Sequence, residues 1–408
     1  MITVQEAHTL IRESIKITSP SCRTPLDQLP GRIIAEDIHA GFPMPRFTNA
    51  AMDGFAVRFD DISASSHSSP SSLKVTQEIP AGASSTIAVA SGCCARIMTG
   101  APMPCGADTV VQFEDTSGFD GDVVDIYKAP ARGANIRHAG EEVRIGELLF
   151  ARGTRITPAE IALLAAFGFG AASAYRQPKV ALVTVGDELC TADQTAGELA
   201  IYNSNLPMLE ACVKASGATV CNSWQLPDDP LRIREALGKS LAECDLLVTA
   251  GGISTGQYDY MQEALSNLGV EQKFWKVAQK PGKPLYFGTS PSGPLVFSLP
   301  GNPVSALVCF LEYCMAALSL LQGTEPPTKF EALLDEPFPA DRKRHRFLFG
   351  RIRVEGGSLR CLVSTNTESH MLTAASGANC LVESPPISGE LPAGSLVCCT
   401  LLPWGTLS

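Results

Sequence analysis

The hydrophobic positions between Gln177 and Gly323 alternate between the spacing of buried strands and the spacing of helices. Short apolar runs of strand length occur in PKVALVTVGDEL, TVCNSWQL, DLLVTAGG and LVFSLP. Longer runs with helical spacing separate them, as in LPMLEACVKASG and DPLRIREALGKSLAEC. Strands that alternate with helices predict a mostly parallel sheet with helices on both faces. We therefore predict a doubly wound α/β domain over residues 177–324.

The segments on either side of this domain have other patterns. AHTLIRESI has helical spacing and RIIAEDIHA alternates like a strand, whereas residues 41–136 contain short β-like runs such as LKVTQEI, ARIMTG, DTVVQF and DVVDIY. ELLFARGTRITPAEIALLAAFG has helical spacing again, and short strands return after about Phe330. These patterns predict an elongated α+β domain from residues 1–40 and 137–176, an inserted β lobe at 41–136, and a small β domain at 328–408.

Composition and charge narrow the range of functions. The chain has 408 residues, too many for one ordinary core, and its 45% hydrophobic content is that of a soluble multidomain protein. Its net charge of −10, from 42 acidic and 32 basic residues, argues against nucleic-acid binding. The longest apolar run, VSALVCFLEYCMAALSLL, is interrupted by Glu312, so it predicts a buried core helix rather than a membrane span.

The cysteines and the first residues indicate the compartment. The chain has 14 cysteines, which are scattered and form no CxxC pair, so the usual zinc-site and thioredoxin spacings are missing. The start, MITVQEAHTLIRESI, carries acidic residues and no apolar signal core. We interpret the cysteines as reduced, mostly buried small hydrophobes in a cytoplasmic protein that binds no membrane.

Three loops that follow predicted strands carry candidate ligand-binding residues. In a doubly wound sheet these loops lie on one rim, where glycine amides and helix N-termini attract anions. The alternative for any one loop is an ordinary turn or a helix cap. The candidates are Asp187 and Glu188 in VGDEL, Gly251, Gly252, Ser254, Thr255 and Asp259 in TAGGISTGQYD, and Pro300, Asn302 and Ser305 in LPGNPVSAL.

The same rim is predicted to hold both cations and carboxylates. Lys280 and Lys283 flank the Pro-Gly turn of KVAQKPGKPLYFG and suit a phosphate or another oxyanion, although both could be solvated turn residues. A divalent metal reconciles the two signs of charge, because Mg²⁺ prefers one or two carboxylates together with phosphate oxygens. Asp228 and Asp259 are the candidate ligands, and Asp229 is nearly as good as Asp228. The alternative role for these aspartates is helix capping.

Further candidates lie outside the α/β domain. Taken singly they are typical turn residues, and a basic strand is usually a solvated edge. Here the basic strand of the tail could complete an oxyanion pocket. The further candidates are Asp53 in NAAMDGFAV, Thr99 in IMTGAPMP, Arg137, Glu141 and Glu142 in IRHAGEEV, Arg351 in the basic segment RHRFLFGRIRV, and Ser369 in TESHMLTAASGANCL.

Six motifs together carry a family resemblance. MDGFAV, TGAPMPCGADTVVQFE, VGDEL, GGISTGQYD, KPGKP and LPGNPVSAL occur in the order and spacing of the molybdopterin molybdenumtransferase family, which is related to the E domain of gephyrin. The resemblance covers nearly the whole chain, from about Val4 to the last predicted strands. It implies four domains, the last a β barrel, and a homodimer. In that dimer one subunit's α/β domain and the other's inserted lobe form the active cleft.

The resemblance also implies a reaction and residue roles. Molybdate is inserted into the dithiolene of adenylylated molybdopterin, and the phosphoanhydride is cleaved with release of AMP. Mg²⁺ is held by Asp228 and Asp259. The implied catalytic residues are Asp53, Thr99, Glu142, Glu188, Lys280 and Lys283, and the implied substrate- and cofactor-binding residues are Gly251, Gly252, Ser254, Pro300, Asn302, Ser305, Arg137, Arg351 and Ser369.

The chain departs from the family pattern at three places. Glu142 stands where the family has Asp, Thr255 stands where an apolar residue is common, and the segment around Arg351 aligns only loosely. Two other functions remain as alternatives: molybdopterin adenylyltransferase, whose fold resembles residues 177–323, and a non-catalytic, gephyrin-like binding scaffold. The expected partners are a second copy of the chain, the pterin substrate and, transiently, the adenylyltransferase and the enzymes that accept the cofactor.

Overall fold

A computed structural model describes residues 1–15, 20–83, 87–195, 197–252, 260–366 and 368–407. The helices in these residues are α1 Val4–Ser14, α2 Phe59–Ile62, α3 Pro158–Ala166, α4 Asn205–Ala215, α5 Pro230–Glu243, α6 Tyr260–Asn267, α7 Pro303–Cys309 and α8 Met315–Leu321. The strands are β1 Ser21–Pro25, β2 Ile38–His39, β3 Asn49–Ala50, β4 Gly54–Val57, β5 Ser71–Ile79, β6 Cys93–Ile97, β7 Thr109–Gln112, β8 Val123–Ile126, β9 Ile136–Arg137, β10 Leu148–Phe150, β11 Ala171–Tyr175, β12 Lys179–Val185, β13 Leu189–Cys190, β14 Ile201–Tyr202, β15 Thr219–Leu226, β16 Leu246–Ala250, β17 Glu271–Trp275, β18 Gln279–Lys280, β19 Tyr286–Thr289, β20 Leu295–Leu299, β21 Lys329–Leu334, β22 His345–Glu355, β23 Ser358–Val363, β24 Cys380–Ser384 and β25 Leu396–Leu401.

The chain folds into two compact units. The large unit consists of Met1–Ala35, Gly153–Ile161 and Gly170–Ser408, and the small unit consists of Glu36–Arg152 and Ala162–Phe169. Each unit therefore contains segments that are distant in the sequence. The finer division into four domains stays a prediction.

The large unit contains the predicted doubly wound sheet. Its strands lie in the order β15-β12-β16-β20-β19-β17, and the first four are parallel. Helices α4, α7 and α8 pack on one face and α5 and α6 on the other, so both faces are covered. This confirms the predicted α/β fold class. The last two strands, β19 and β17, are antiparallel and were not assigned from the sequence.

Local sequence explains where the helices at the sheet begin. Helix α5 starts at Pro230, directly after Asp229, whose side chain accepts hydrogen bonds from the backbone N–H groups of Leu231 and Arg232. Proline suits the first helical position and aspartate suits the cap before it. Helix α7 likewise starts at a proline, Pro303, directly after Asn302, although the Asn302 side chain makes no capping hydrogen bond. Both helices therefore begin at the carboxyl rim of the sheet, as LPDDP and LPGNP predict.

The longest apolar helix is part of the core, as predicted. Pro303–Leu321 is long and apolar enough to cross a membrane by length and composition, but 83% of its most apolar window is buried inside the protein. A π-helical turn, Phe310–Cys314, joins α7 to α8. This turn contains Glu312, whose carboxylate pairs with His8 and Lys329, so the buried charge is compensated.

The end of the chain forms a closed β barrel, which confirms the barrel implied by the resemblance. The barrel order is β22-β23-β21-β25-β24, and pairing of β22 with β24 closes it. Its interior is filled by apolar residues and cysteines. Strand β18 extends the sheet by pairing in parallel with β22, which places Lys280 opposite Arg346. The lysine turn is thereby attached to the barrel.

The small unit is a β lobe. Its main sheet has the order β7-β4-β6-β5-β8, with apolar clusters on both faces. Two sequence predictions near its edges were too broad. RIIAEDIHA forms only isolated bridges at Ile33 and Ile34 and then the short β2. The segment ELLFARG forms β10, and a turn at Gly153, with a φ of +90°, precedes the helix that was expected to include it.

Candidate active site

The carboxyl ends of the parallel strands open into a cavity of about 540 Å³, which we call the rim cavity. Its lining includes six predicted site residues from four separate loops, which are Glu188, Asp228, Gly251, Gly252, Pro300 and Asn302. The other lining residues are Val185, Gly186, Leu189, Ile201, Tyr202, Asn203, Ser204, Asn205, Ala250, Pro284, Gly301 and Pro303. Ser254, Thr255 and Asp259, which were predicted for the same wall, lie outside the described residues.

Of the two adjacent candidate metal ligands, Asp228 and Asp229, only Asp228 lines the rim cavity. Its loop is tied to the loop of Asp187 by two hydrogen bonds. The Asp187 N–H donates to Asp228 Oδ2 at 3.3 Å, and the Asp228 N–H donates to Asp187 Oδ1 at 3.0 Å. Asp229 instead caps α5, accepting from Leu231 N–H at 2.9 Å. The geometry therefore favours Asp228 as the ligand-facing acid and gives Asp229 a structural role.

Glycine is required where the β16 loop passes the β12 loop. Gly251 has a φ of +91°, and a Cβ there would lie 2.5 Å from the carbonyl oxygen of Val185. At Gly186, a Cβ would meet the carboxylate of Glu188 at 2.6 Å, so Glu188 folds back over the strand end. The close backbone packing brings a carboxylate and glycine amides to one wall of the cavity.

One wall of the rim cavity was missed in the sequence analysis. It is formed by Asn203, Ser204 and Asn205 at the start of α4. Asn203 is buried and donates from Nδ2 to Thr184 Oγ1 at 2.8 Å, and Asn205 donates from Nδ2 to Gly301 O at 2.8 Å. The Oδ1 atom of Asn205 is buried without a hydrogen-bond partner in the described structure. The signal in the sequence was the polar run NSN immediately before a helix.

A second cavity of about 220 Å³, which we call the lysine pocket, adjoins the first. The two share Pro284, Pro300 and Asn302 in their linings. The lysine pocket brings together four further predicted residues, which are Lys280, Lys283, Ser305 and Ser369. Asn302 Nδ2 donates to Ser369 Oγ at 3.1 Å, so residues from α7 and from the barrel meet there. Cationic and hydroxyl groups in this arrangement suit an oxyanion.

The lysine turn is held from beneath by buried polar contacts. Tyr313 donates a hydrogen bond from its hydroxyl to Gln279 Oε1, and Gln279 Nε2 donates to the carbonyl of Pro281 at 3.0 Å. Burial raises the pKa of Tyr313 well above its usual value, so the hydroxyl keeps its proton and remains a donor. The turn between Lys280 and Lys283 is thus fixed by Gln279, which itself lines the pocket, and by Tyr313 beneath it.

The structure does not place Arg351 in the lining of either described cavity. Its guanidinium donates two hydrogen bonds to the carbonyl of Gly377, at 3.2 Å from Nε and 3.0 Å from an Nη atom. Arg344 lines the lysine pocket instead and pairs with Asp341 at 2.7 Å. The basic segment RHRFLFGRIRV did not distinguish among its arginines, because the sequence alone does not give the direction of each side chain.

The remaining predicted residues belong to the small unit. Thr99 donates to Asp53 Oδ1 from its backbone N–H at 2.6 Å and from its hydroxyl at 2.7 Å. These two hydrogen bonds lower the pKa of Asp53, so the exposed side chain stays a carboxylate at neutral pH. Arg137 and Glu142 are exposed in the same unit. Glu141, their neighbour, accepts from the backbone N–H of His138 at 2.7 Å and so stabilises a turn.

Fold and site together define a multidomain α/β protein with a carboxylate-lined cavity and a lysine pocket at the rim of its sheet. Three family models match it in chain order: "MoeA N-terminal region (domain I and II)" over residues 2–168, "Probable molybdopterin binding domain" over 181–319, and "MoeA C-terminal region (domain IV)" over 331–402. The chain therefore belongs to the MoeA family, as the motifs predicted.

Individual relatives agree along the chain. A molybdopterin molybdenumtransferase 2 from Mycobacterium tuberculosis is 33% identical over 404 residues, which are 97% of this chain and 98% of the relative. A molybdopterin molybdenumtransferase from Nostoc sp. is 35% identical over 80% of this chain and 76% of its own. The crystal structure of the molybdopterin biosynthesis MoeA protein from Pyrococcus horikoshii OT3 is 29% identical and superposes with a TM-score of 0.82, covering 98% of this chain and 100% of that one.

Proposed function

We propose that this protein is a molybdopterin molybdenumtransferase. In the proposed reaction, adenylylated molybdopterin and molybdate give molybdenum cofactor, AMP and water. The observation that carries the proposal is the pair of adjoining cavities, one lined by carboxylates and glycines and the other by lysines, with Asn302 in both. The names of the relatives support the same activity.

Each cavity suits one part of the proposed substrates. The lysine pocket would hold molybdate, because Lys280 and Lys283 offer fixed positive charge and Ser305 offers a hydroxyl. The rim cavity would hold the phosphoanhydride and the pterin against Gly251, Gly252, Pro300 and the wall at the start of α4. The chain's part in the chemistry is then to position the dithiolene beside molybdate and to stabilise negative charge as AMP leaves.

The rim cavity also fits Mg²⁺. Its donors are oxygens, the type of ligand that Mg²⁺ prefers, and they include the carboxylates of Asp228 and Glu188 and the unpartnered Oδ1 of Asn205. We propose Asp228 and Asp259 as the protein ligands. A bound Mg²⁺ would act as a Lewis acid for the phosphate oxygens. Glu188 would then contribute to the acidic cluster around the anhydride.

The neighbouring aspartates give a matched test of this site. Asp228→Asn should reduce the rate of AMP release by roughly a hundredfold or more, the size expected when a group that stabilises transition-state charge is lost. Asp229→Asn should retain nearly full activity, because asparagine caps helices as well as aspartate does. The assay supplies purified protein with adenylylated molybdopterin, Mg²⁺ and molybdate, and measures AMP together with cofactor that activates an apo-molybdoenzyme. A wild-type chain that releases no AMP, or Asp228→Asn as active as Asp229→Asn, would contradict the proposal.

We further propose a cytoplasmic homodimer in which each active cleft is shared between subunits. Asp53, Thr99, Arg137 and Glu142 would then serve the rim cavity of the partner. The isolated mixed dimer of Asp53→Ala and Asp228→Asn chains should have about half of wild-type activity, because one of its two clefts has all its acids intact. Activity is measured after the heterodimer has been isolated with two affinity tags. An inactive heterodimer would exclude the shared cleft.

A further inference from the structure

The C-terminal barrel contains three cysteines whose sulfurs face one another. Cys361, Cys380 and Cys399 are all completely buried. Their Sγ atoms lie within 4.8 Å of one another, and those of Cys361 and Cys380 are 3.9 Å apart. The cluster has no connection with either cavity and no part in the proposed reaction. Its cysteines do not have CxxC spacing, because Cys361 and Cys380 are 19 positions apart in the chain.

Closure of the barrel brings these three sulfurs together. Cys361 is on β23 and Cys380 is on β24, and both strands pair with β22, so the two cysteines flank the same stretch of that strand. Cys399 is on β25 beside β24, opposite Val382. Gly350 on β22 provides the space, because a Cβ there would lie only 3.1 Å from the sulfur of Cys361 and 2.8 Å from a methyl of Val382. The backbone therefore leaves room for a sulfur cluster.

We propose that Cys361, Cys380 and Cys399 form a three-sulfur site for a soft monovalent d¹⁰ cation, Cu(I). Sulfurs that share one metal ion at about 2.3 Å in a flat triangle stand about 4.0 Å apart. The observed 3.9 Å between Cys361 and Cys380 has that size, so only small side-chain adjustments are needed. A disulfide would require the sulfurs to approach to about 2.05 Å.

The ligand set selects the type of ion. Thiolate sulfur favours Cu(I) and Zn²⁺ over harder ions, but structural zinc is almost always bound by four ligands. Within the described part of the chain, no fourth His, Cys, Asp or Glu atom joins the three sulfurs. The surrounding residues are apolar, among them Leu348 and Ile352. Cu(I) is therefore the soft ion that best suits a set of three sulfurs without a fourth ligand.

Metal binding to the cluster requires deprotonation of its thiols, because the thiolate is the form that ligates a metal. Binding of Cu(I) would replace thiol protons, which leave to solvent, and no electron is transferred. The bound ion would cross-link β23, β24 and β25 and so stabilise the barrel.

The test uses the reduced full-length protein under anaerobic conditions. It is produced with copper in the medium, and the purified apo protein is also titrated with Cu(I) buffered by a chromogenic Cu(I) chelator. We expect one ion per chain that the chelator removes slowly, a thiolate-to-copper absorption band, and three sulfur neighbours in the X-ray absorption spectrum. Cys399→Val should lose that ion and the three-sulfur signature. Cys212→Val, which changes a buried cysteine of helix α4, should keep both.

Several results would overturn the proposal. They are wild-type protein that takes up no tightly held Cu(I) by either route, equal uptake by wild type and Cys399→Val, or a disulfide found among the three cysteines of the metal-free protein. If Cys399→Val fails to fold, as judged by circular dichroism, Cys361→Ser replaces it, since serine keeps the size and removes the soft ligand. The barrel's thermal transition should also rise on Cu(I) addition in wild type and in Cys212→Val only.

Discussion

At the residue scale, the lysine pocket depends on two point charges. Lys280 is only loosely paired, with its ammonium 4.0 Å from Glu368 Oε1, so its charge is available to a ligand. Lys280→Gln should raise the KM for molybdate and lower kcat/KM by roughly ten- to a hundredfold, because a fixed cation is lost and the side chain keeps its polarity and much of its length. Initial rates at varied molybdate concentration measure both constants.

Arg351→Gln is the matched control for that experiment. Its guanidinium is bound to the carbonyl of Gly377 and lines neither described cavity. Its loss should leave the KM for molybdate within about twofold of wild type, as expected for a surface substitution away from the site. If Arg351→Gln is impaired and Lys280→Gln is not, the oxyanion lies beside the outer barrel strand rather than in the lysine pocket.

At the scale of single elements, the two glycines after β16 differ in how much space they leave for a side chain. Gly251 has no room for a Cβ atom, whereas Gly252 has room for one. A Cβ at Gly251 would lie 2.5 Å from a backbone oxygen, whereas a Cβ at Gly252 would have its first neighbour at 3.7 Å. Both have positive φ, which costs an alanine about 1–2 kcal/mol. Gly251→Ala should therefore lower the free energy of unfolding, measured with urea, by more than Gly252→Ala does. It should also reduce the rate of AMP release by more. Equal losses in the two variants would mean that the loop moves freely past β12.

The elements of the α/β sheet show which parts of the fold the sequence predicts and which parts it does not. Alternation of apolar strands and amphipathic helices predicted β12, β15, β16, β20, α4 and α5, because each is long enough to show its period. The pattern did not predict the short strands β17 and β19, which pair in antiparallel fashion with each other at one edge of the sheet. The sequence predicted ten residues of the two cavities, seven of them in strand-end loops. The α4 wall and Arg344 were missed because they depend on side-chain direction, which a single sequence does not encode locally.

At the scale of the whole large unit, a buried charge network joins three parts of the chain. Glu312, in the π-helical turn, pairs with His8 of α1 at 2.7 Å and with Lys329 of β21 at 2.9 Å. Lys329 also pairs with Glu383 of β24 at 2.6 Å, and Glu383 with His345 of β22 at 2.8 Å. These partners are up to 304 positions apart in the sequence. In the sequence, Glu312 stands out only as a charged residue within an apolar run. Its partners could not be predicted, because the fold brings them together from distant parts of the chain.

This network should make the large unit sensitive to acid. Burial alone would raise the pKa of Glu383, but the hydrogen bond with His345 and the positive charge of Lys329 outweigh it and lower the pKa to about 2. An unfolded glutamate titrates near its ordinary value of 4.5. The ionised form therefore stabilises the folded state fully above about pH 4.5. That contribution, on the order of 3 kcal/mol, is lost as the pH falls towards 2.

Urea unfolding between pH 5 and pH 2.5 measures this dependence for wild type and Glu383→Gln. The variant should be less stable at pH 5, because Lys329 loses one of its two carboxylate partners, and its stability should fall less steeply with acid. Glu325→Gln is the control, since Glu325 pairs with Arg12 at 2.6 Å on the exposed surface and should change the slope little. If wild type and Glu383→Gln lose stability with the same slope, protonation of other groups governs the acid unfolding, and the network serves only to hold α1, the π-helical turn and the barrel in register.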